Sequence, residues 1–181
     1  MKRSSIIFIH GASSAGKSTL ARAVQATIDQ PFWHVSIDHL RDAGVLPSSR
    51  FKSGDFDWKA ARPAFFDGFH LSLAAYLQAG NNLILEHILD TPGWREQLAD
   101  LFKPYDVFFV GLHADLDELN KREVERGDRP IGSAAHDFHT VHQDLSYDLE
   151  LPSRAPLHKN VQCLITAWKA QRSQSAFFTP C

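Results

Sequence analysis

The chain of 181 residues has a formal charge of −2 at pH 7 and is 44% hydrophobic and 22% charged, which places it among ordinary globular domains and suggests neither a disordered nor a membrane class. It has no basic run of the kind duplex nucleic-acid binding requires, and no stretch nears the roughly 20 apolar residues of a membrane-spanning helix. Met1-Lys2-Arg3 leads into only a short apolar run, so no signal peptide is expected and the predicted location is cytoplasmic.

The length suits one domain over residues 1–181, with a core large enough to need no staples. Cys163 and Cys181 are too few for a disulfide framework or a thiolate metal site. The expectation is a buried thiol at Cys163, which lies in a helical pattern, and an exposed one at Cys181.

In chain order, Ile6-Ile7-Phe8-Ile9 is a continuous run of β-formers, as in a central parallel strand covered on both faces. It runs into Gly11-Ala12-Ser13-Ser14-Ala15-Gly16-Lys17-Ser18, after which Leu20, Val24 and Ile28 form a helical stripe. A second strand is predicted at Trp33 to Ile37, ending on Asp38. Residues Gly44 to Asp57 have no clear period and read as a functional loop.

Trp58 to Gln78 carries Phe65, Phe66, Phe69, Leu73 and Leu77 at helical spacing, and Gly80 follows as a stop. The third strand is predicted at Leu83 to Leu85. Thr91-Pro92 supplies N-cap and first-turn residue types for a helix over Gly93 to Phe102. A fourth strand follows at Val107 to Val110, a weaker fifth around Tyr147 to Leu151, and a last helix carries Val161, Leu164, Ile165 and Trp168. Alternating strands and helices predict an α/β, doubly wound, mainly five-stranded parallel sheet of the phosphate-loop nucleoside triphosphatase and kinase type.

The glycine loop is the strongest chemical signal. Its spacing turns backbone N–H groups inward around phosphate, at the positive end of the following helix. Residues Gly11 to Ser18, with Thr19 next in the helix, are the predicted ATP-binding set. Lys17 would balance the outer phosphates and the Ser18 hydroxyl would ligate Mg2+.

Asp38, at a strand's carboxyl end, faces the ligand crevice of such a sheet. It is a candidate base or holder of a magnesium-bound water, and equally a helix N-cap for His39 to Ala43. Glu86, directly after the third strand, is a candidate for orienting the water shell of Mg2+, or else a salt-bridged strand-end acid. Arg122, Arg126 and Arg129 mark a helix running into a glycine- and proline-containing loop, a lid segment around residues 122–133. Arginine pairs bidentately with phosphoryl oxygens, and it is also favourable at a solvated helix end. His136, His139 and His142 are spaced to stack on one helix face.

The loop, taken with Arg122-Glu123, Arg126-Gly127-Asp128-Arg129, Gly132, Ala134, Val141-His142 and Tyr147-Asp148, resembles the chloramphenicol phosphotransferase family. The resemblance implies a small kinase on a five-stranded parallel sheet that moves the γ-phosphate of ATP to a hydroxyl. By similarity Asp38 takes the catalytic-base position, and Arg126 and Arg129 belong to the lid. Residues Arg41 to Phe69 depart from the family pattern, and Glu86-His87 stands where the antibiotic kinase has paired acids. The acceptor pocket is therefore expected in the divergent segment, with chloramphenicol a poor substrate. Other acceptors compatible with the residues are nucleotides, sugar nucleotides and nucleic-acid ends, and a nucleotide-controlled regulatory module is the alternative outside kinases.

Overall fold

The computed structural model describes residues 3–126, 132–171 and 173–179, with the side chains of Arg126, Ser133 and Ala134 outside the description. The described residues contain five strands: β1 (Ser5–His10), β2 (Trp33–Ser36), β3 (Leu83–His87), β4 (Asp106–His113) and β5 (Leu149–Pro152). All pair in parallel, in the order β2-β3-β1-β4-β5. The helices are α1 (Lys17–Thr27), α2 (Ile37–Asp42), α3 (Ser48–Lys52), α4 (Trp58–Gln78), α5 (Trp94–Phe102), α6 (Leu116–Arg126), α7 (Ser133–Thr140) and α8 (Leu157–Ala170). A 3-10 turn at Ala176–Phe178 follows α8.

Successive residues of β1 feed opposite layers, as a strand's two-residue period requires. Ile7 and Ile9 join Leu20, Ala21 and Val24 of α1 and Val161 and Leu164 of α8. Ile6 and Phe8 join Phe69, Leu73 and Leu77 of α4, Leu98 and Phe102 of α5, and Phe177. With both faces covered, β1 is buried throughout, which is why its sequence does not alternate. Chain crossovers reach both sides of β1, so its carboxyl end opens on the crevice where parallel α/β sheets bind ligands.

Local details differ from the sequence-based expectations. β2 stops at Ser36 because the Ser36 side chain accepts from the Asp38 N–H and caps α2. Asp38 therefore lies in the first turn of α2 and is neither strand end nor cap. Glu86 is inside β3, paired with Ile9 and Ser36. The 44–57 stretch contains the short helix α3. Gly93, at φ 87°, is the N-cap of α5, so Pro92 stands outside the helix.

Cys163 is exposed, because it falls off the Val161 and Leu164 stripe that α8 buries; Cys181 lies outside the described residues. His142 follows the end of α7 and does not continue the His136 and His139 face. No helix among the described residues is long and apolar enough to cross a membrane.

Candidate phosphate-loop site

Leaving β1, the chain passes so near β4 that a Cβ on Gly11 would stand 2.4 Å from the Leu112 carbonyl oxygen. Hydrogen alone fits there. Ser14 and Gly16 then adopt left-handed backbone, at φ 63° and 97°, and Ala15 N–H closes a turn on Ala12 O at 3.2 Å. The loop curls back over the start of α1, whose first-turn amides have no intrahelical acceptors. Those amides and the helix dipole make an anion cradle.

Side chains close around this cradle. Lys17 Nζ folds over the loop and donates to Gly11 O and Ala12 O, each at 2.7 Å. Ser18 Oγ donates to Glu86 Oε2 at 2.7 Å, joining α1 to β3. Arg122 donates from Nη1 to Ser14 O and Ala15 O at 3.3 Å and is braced by Glu118, which accepts from its Nε at 2.8 Å. The Ser13 N–H donates to Asp137 Oδ2 of α7 at 2.9 Å. Buried Glu123 accepts from the Gly132 N–H at 2.8 Å and so ties α6 to the start of α7.

A cavity of about 560 Å³ runs along the loop from Ser13 to Leu20, past Arg122, to Ser153, Ala155, Leu157 and Asn160 after β5. The Ser153 hydroxyl is buried and has no hydrogen-bond partner among the described residues. A second cavity, of about 190 Å³, lies between α2, α4 and the segment after β3, lined by Ser36, Ile37, Arg41, Phe66, His87, Ile88, Asp90 and Trp94. Lys17, Asp38 and Glu86 line both. The structure therefore brings these three expected residues to one wall, together with Ser18 on the side of the larger cavity.

Asp38 Oδ1 is paired with Arg41 Nη1 at 3.1 Å. Glu86 is buried, which pushes its pKa up, but hydrogen bonds from His34 and Ser18 outweigh that and hold the carboxyl below its usual value. Of the aromatics in the divergent segment, Phe66 lines the smaller cavity. Its ring stacks on Trp94 with centroids 4.4 Å apart, and the Arg62 guanidinium lies over both rings. Phe51, Phe56, Trp58 and Phe65 form a chain of edge contacts leading away from the cavity. Arg126 is in α6 with its side chain outside the description, and Arg129 lies outside the described residues.

Three contributors were not read as functional in the sequence. His34 against Glu86 and Ser36 as a cap depend on strand register and on where β2 ends, which no local pattern announces. The third is a polar chain behind the loop. Leu89 N–H donates to His10 Nε2 at 3.1 Å, so His10 Nδ1–H donates to Tyr147 Oη at 2.9 Å. The Tyr147 hydroxyl in turn donates to His142 Nδ1 at 2.7 Å. Both histidines are neutral in this arrangement. Burial and the facing His142 lower His10 well below its usual value. Burial and neighbouring His113 bring His142 to about 4, and burial raises Tyr147. His10 directly precedes Gly11, so the chain fixes the base of the loop.

A five-stranded parallel sheet with this loop at the end of its first strand defines a phosphate-loop protein of the kinase type. Residues 4–168 match the chloramphenicol phosphotransferase-like family, and the chain belongs to that family of kinase-like phosphotransferases. A relative in Mycobacterium tuberculosis bearing the name "Putative O-phosphotransferase" is 29% identical over 197 residues, spanning 98% of this chain and 88% of that protein.

Solved structures with the same fold include a gluconokinase from Sinorhizobium meliloti 1021, with TM-score 0.65, 16% identity, and 94% of each chain covered. Another is the Mycobacterium tuberculosis APS kinase in complex with AMPPNP and APS, with TM-score 0.67, 17% identity, and coverage of 93% of this chain and 99% of that one. At such identities the likeness concerns the fold.

Proposed function

We propose that this protein transfers the γ-phosphate of ATP, bound with Mg2+, to a hydroxyl of a small molecule. The observation that carries the reading is the shared wall: Lys17, Asp38 and Glu86 border both the cavity along the loop and the smaller cavity beside it. Phosphoryl transfer needs a donor and an acceptor to meet in line at one point, and two cavities joined at a lysine and two carboxylates provide such a point.

The residues fit the donor. Loop amides and the α1 dipole suit the phosphates. The span from Arg122 to Ala155 and Leu157 suits a base, with the unpartnered Ser153 hydroxyl as a polar contact. Ser18 and Glu86 offer adjacent oxygen donors, the kind Mg2+ takes alongside substrate phosphates and water. When bound, Mg2+ supplies charge neutralisation on the phosphoryl oxygens.

Lys17 leaves the Gly11 and Ala12 carbonyls to meet the outer phosphates. Asp38, held by Arg41, orients the acceptor hydroxyl and accepts its proton as the new O–P bond forms and the bond from the γ-phosphorus to the bridging oxygen breaks, releasing ADP. Arg122 borders the phosphate end, and Arg126 and Arg129 keep their sequence-based assignment as phosphate-contacting arginines. The acceptor sits between Arg41, Phe66, Asp90 and Trp94. A cavity of about 190 Å³ lies below the roughly 300 Å³ at which drug-sized sites begin, which favours a compact acceptor over one the size of chloramphenicol.

The test is incubation with γ-labelled ATP, Mg2+ and a panel of small alcohols, sugars and nucleosides, scored by label and by the mass of one added phosphoryl group. The expected result is a labelled product with wild-type protein and nearly none with Lys17→Ala. Nucleotide-dependent product from Lys17→Ala at the wild-type rate would remove the assigned loop role.

A further inference from the structure

Beside the phosphate loop, three metal-ligating side chains converge from three different elements. His34 is on β2, the strand at one end of the sheet order, yet its side chain is only 6% exposed because it turns onto Glu86 of β3, with Nε2 against Oε1. Register produces the contact: Ser36 pairs with Glu86, and His34, two residues earlier, lies on the same face of the sheet. His39 of α2 stands edge-on to His34, with ring centroids 4.6 Å apart and planes at 82°. One ligand atom from each of His34, His39 and Glu86 lies within 4.8 Å of the other two.

We infer that His34, His39 and Glu86 form a binding site for a borderline transition-metal ion of the Zn2+ class, which shares the Glu86 carboxylate with the hard-cation position at Ser18 but uses its other oxygen. Two imidazole nitrogens and one carboxylate oxygen are a three-ligand set that Zn2+ completes tetrahedrally with water. Mg2+ prefers oxygen donors in octahedral array, and imidazole shifts selection towards Zn2+, Co2+, Ni2+ and Cu2+. At ligand bonds of about 2.0–2.1 Å, neighbouring donors of a tetrahedral ion stand roughly 3.3–3.4 Å apart, so side-chain rotations that open the His34–Glu86 contact and draw His39 inwards seat the three.

Glu86 is already oriented for this: its Oε2 accepts from Ser18, leaving Oε1 towards the histidines, and such outer partners are what fix a ligating carboxylate. Arg22 and Lys17 are the cations nearby that act on His39 and Glu86, and the bound ion must compete with their field. An ion held on Oε1 also engages the carboxylate that faces Ser18, so this site touches the phosphate loop directly.

The test uses the chelator-treated 181-residue chain titrated with Co2+ and then Zn2+. The expected outcome is the visible spectrum of four-coordinate cobalt, quenched by one equivalent of Zn2+ per chain. His34→Gln and His39→Gln should each weaken Zn2+ binding at least about tenfold. His39 is exposed, so His39→Gln gives a folded variant even where His34→Gln loses stability. Wild-type Zn2+ affinity in His39→Gln, or a cobalt spectrum lacking four-coordinate bands, overturns the site. Since neither readout involves nucleotide or phosphoryl transfer, the result is independent of the kinase reading.

Discussion

The Tyr147 ring lies so close over Gly111 of β4 that a Cβ at residue 111 would stand 2.8 Å from its Cδ2. That approach lets the hydroxyl reach both His10 and His142, and it buries the ring against Phe109 at 4.7 Å between centroids. Gly111→Ala should therefore push Tyr147 off the strand and lower stability by about 1–3 kcal/mol, the usual cost of forcing an atom into a packed site. Urea unfolding of the variant and wild type measures it; equal midpoints would mean the ring has room to move.

The same chain predicts the direction of acid sensitivity. His10 and His142 have folded-state values below the ordinary 6.5, with His142 at about 4. The unfolded chain then binds more protons than the folded one between those values, so these groups contribute stability that is complete above about pH 6.5 and is lost as pH falls towards 4. Denaturant midpoints taken at steps from pH 7.5 down to 4.5 should fall through that window. His142→Gln, with no proton to gain, should show a shallower fall.

Asp38→Asn should fold normally and bind nucleotide normally, since Ser36 and not Asp38 caps α2. Phosphoryl transfer should drop by roughly 10² to 10⁴ fold, the worth of a positioned general base. Titrating Mg2+ separates roles: a weakened metal site is partly restored by excess ion, a missing base is not. Full activity at limiting Mg2+ would exclude both.

Ser36→Ala removes the cap itself. The cost should be about 0.5–2 kcal/mol, and because the lost bond is to the Asp38 N–H, kcat should fall while nucleotide affinity holds. A variant that loses stability without any change in kcat would show that Asp38 keeps its place without the cap.

Arg122→Ala removes the guanidinium from the Ser14 and Ala15 carbonyls and from the loop cavity. The expected effect is on nucleotide Kd and kcat together, because the contact exists before any phosphoryl group moves. Fluorescent-nucleotide titration alongside turnover distinguishes this from a loss confined to kcat, which would make Arg122 a transition-state contact.

The sequence by itself determined the parallel α/β fold, the strand, loop and helix unit around Gly11 to Ser18, and the extent of α4, which spans Trp58–Gln78 as its periodicity predicted. These are short-range properties, in which residue period, β-branching and glycine spacing act within a few positions of one another. Tertiary structure alone decided which side chains share a wall. Glu86 meets Ser18 and His34 because β3 lies between β1 and β2 in the sheet, although those residues are 68 and 52 positions apart along the chain.

Asp38 lines both cavities because the Ser36 cap ends β2 one residue before the predicted end at Ile37 and starts α2 there. In the sequence Tyr147 and Asp148 carry only part of the family resemblance, with no role attached. In the fold Tyr147 carries a buried hydroxyl between two histidines, and Asp148 clamps Phe109 N–H, the Ser175 hydroxyl and Ala176 N–H. Strand order and register set such contacts through long-range pairing, whose energetics belong to the whole sheet and leave no mark at any single position.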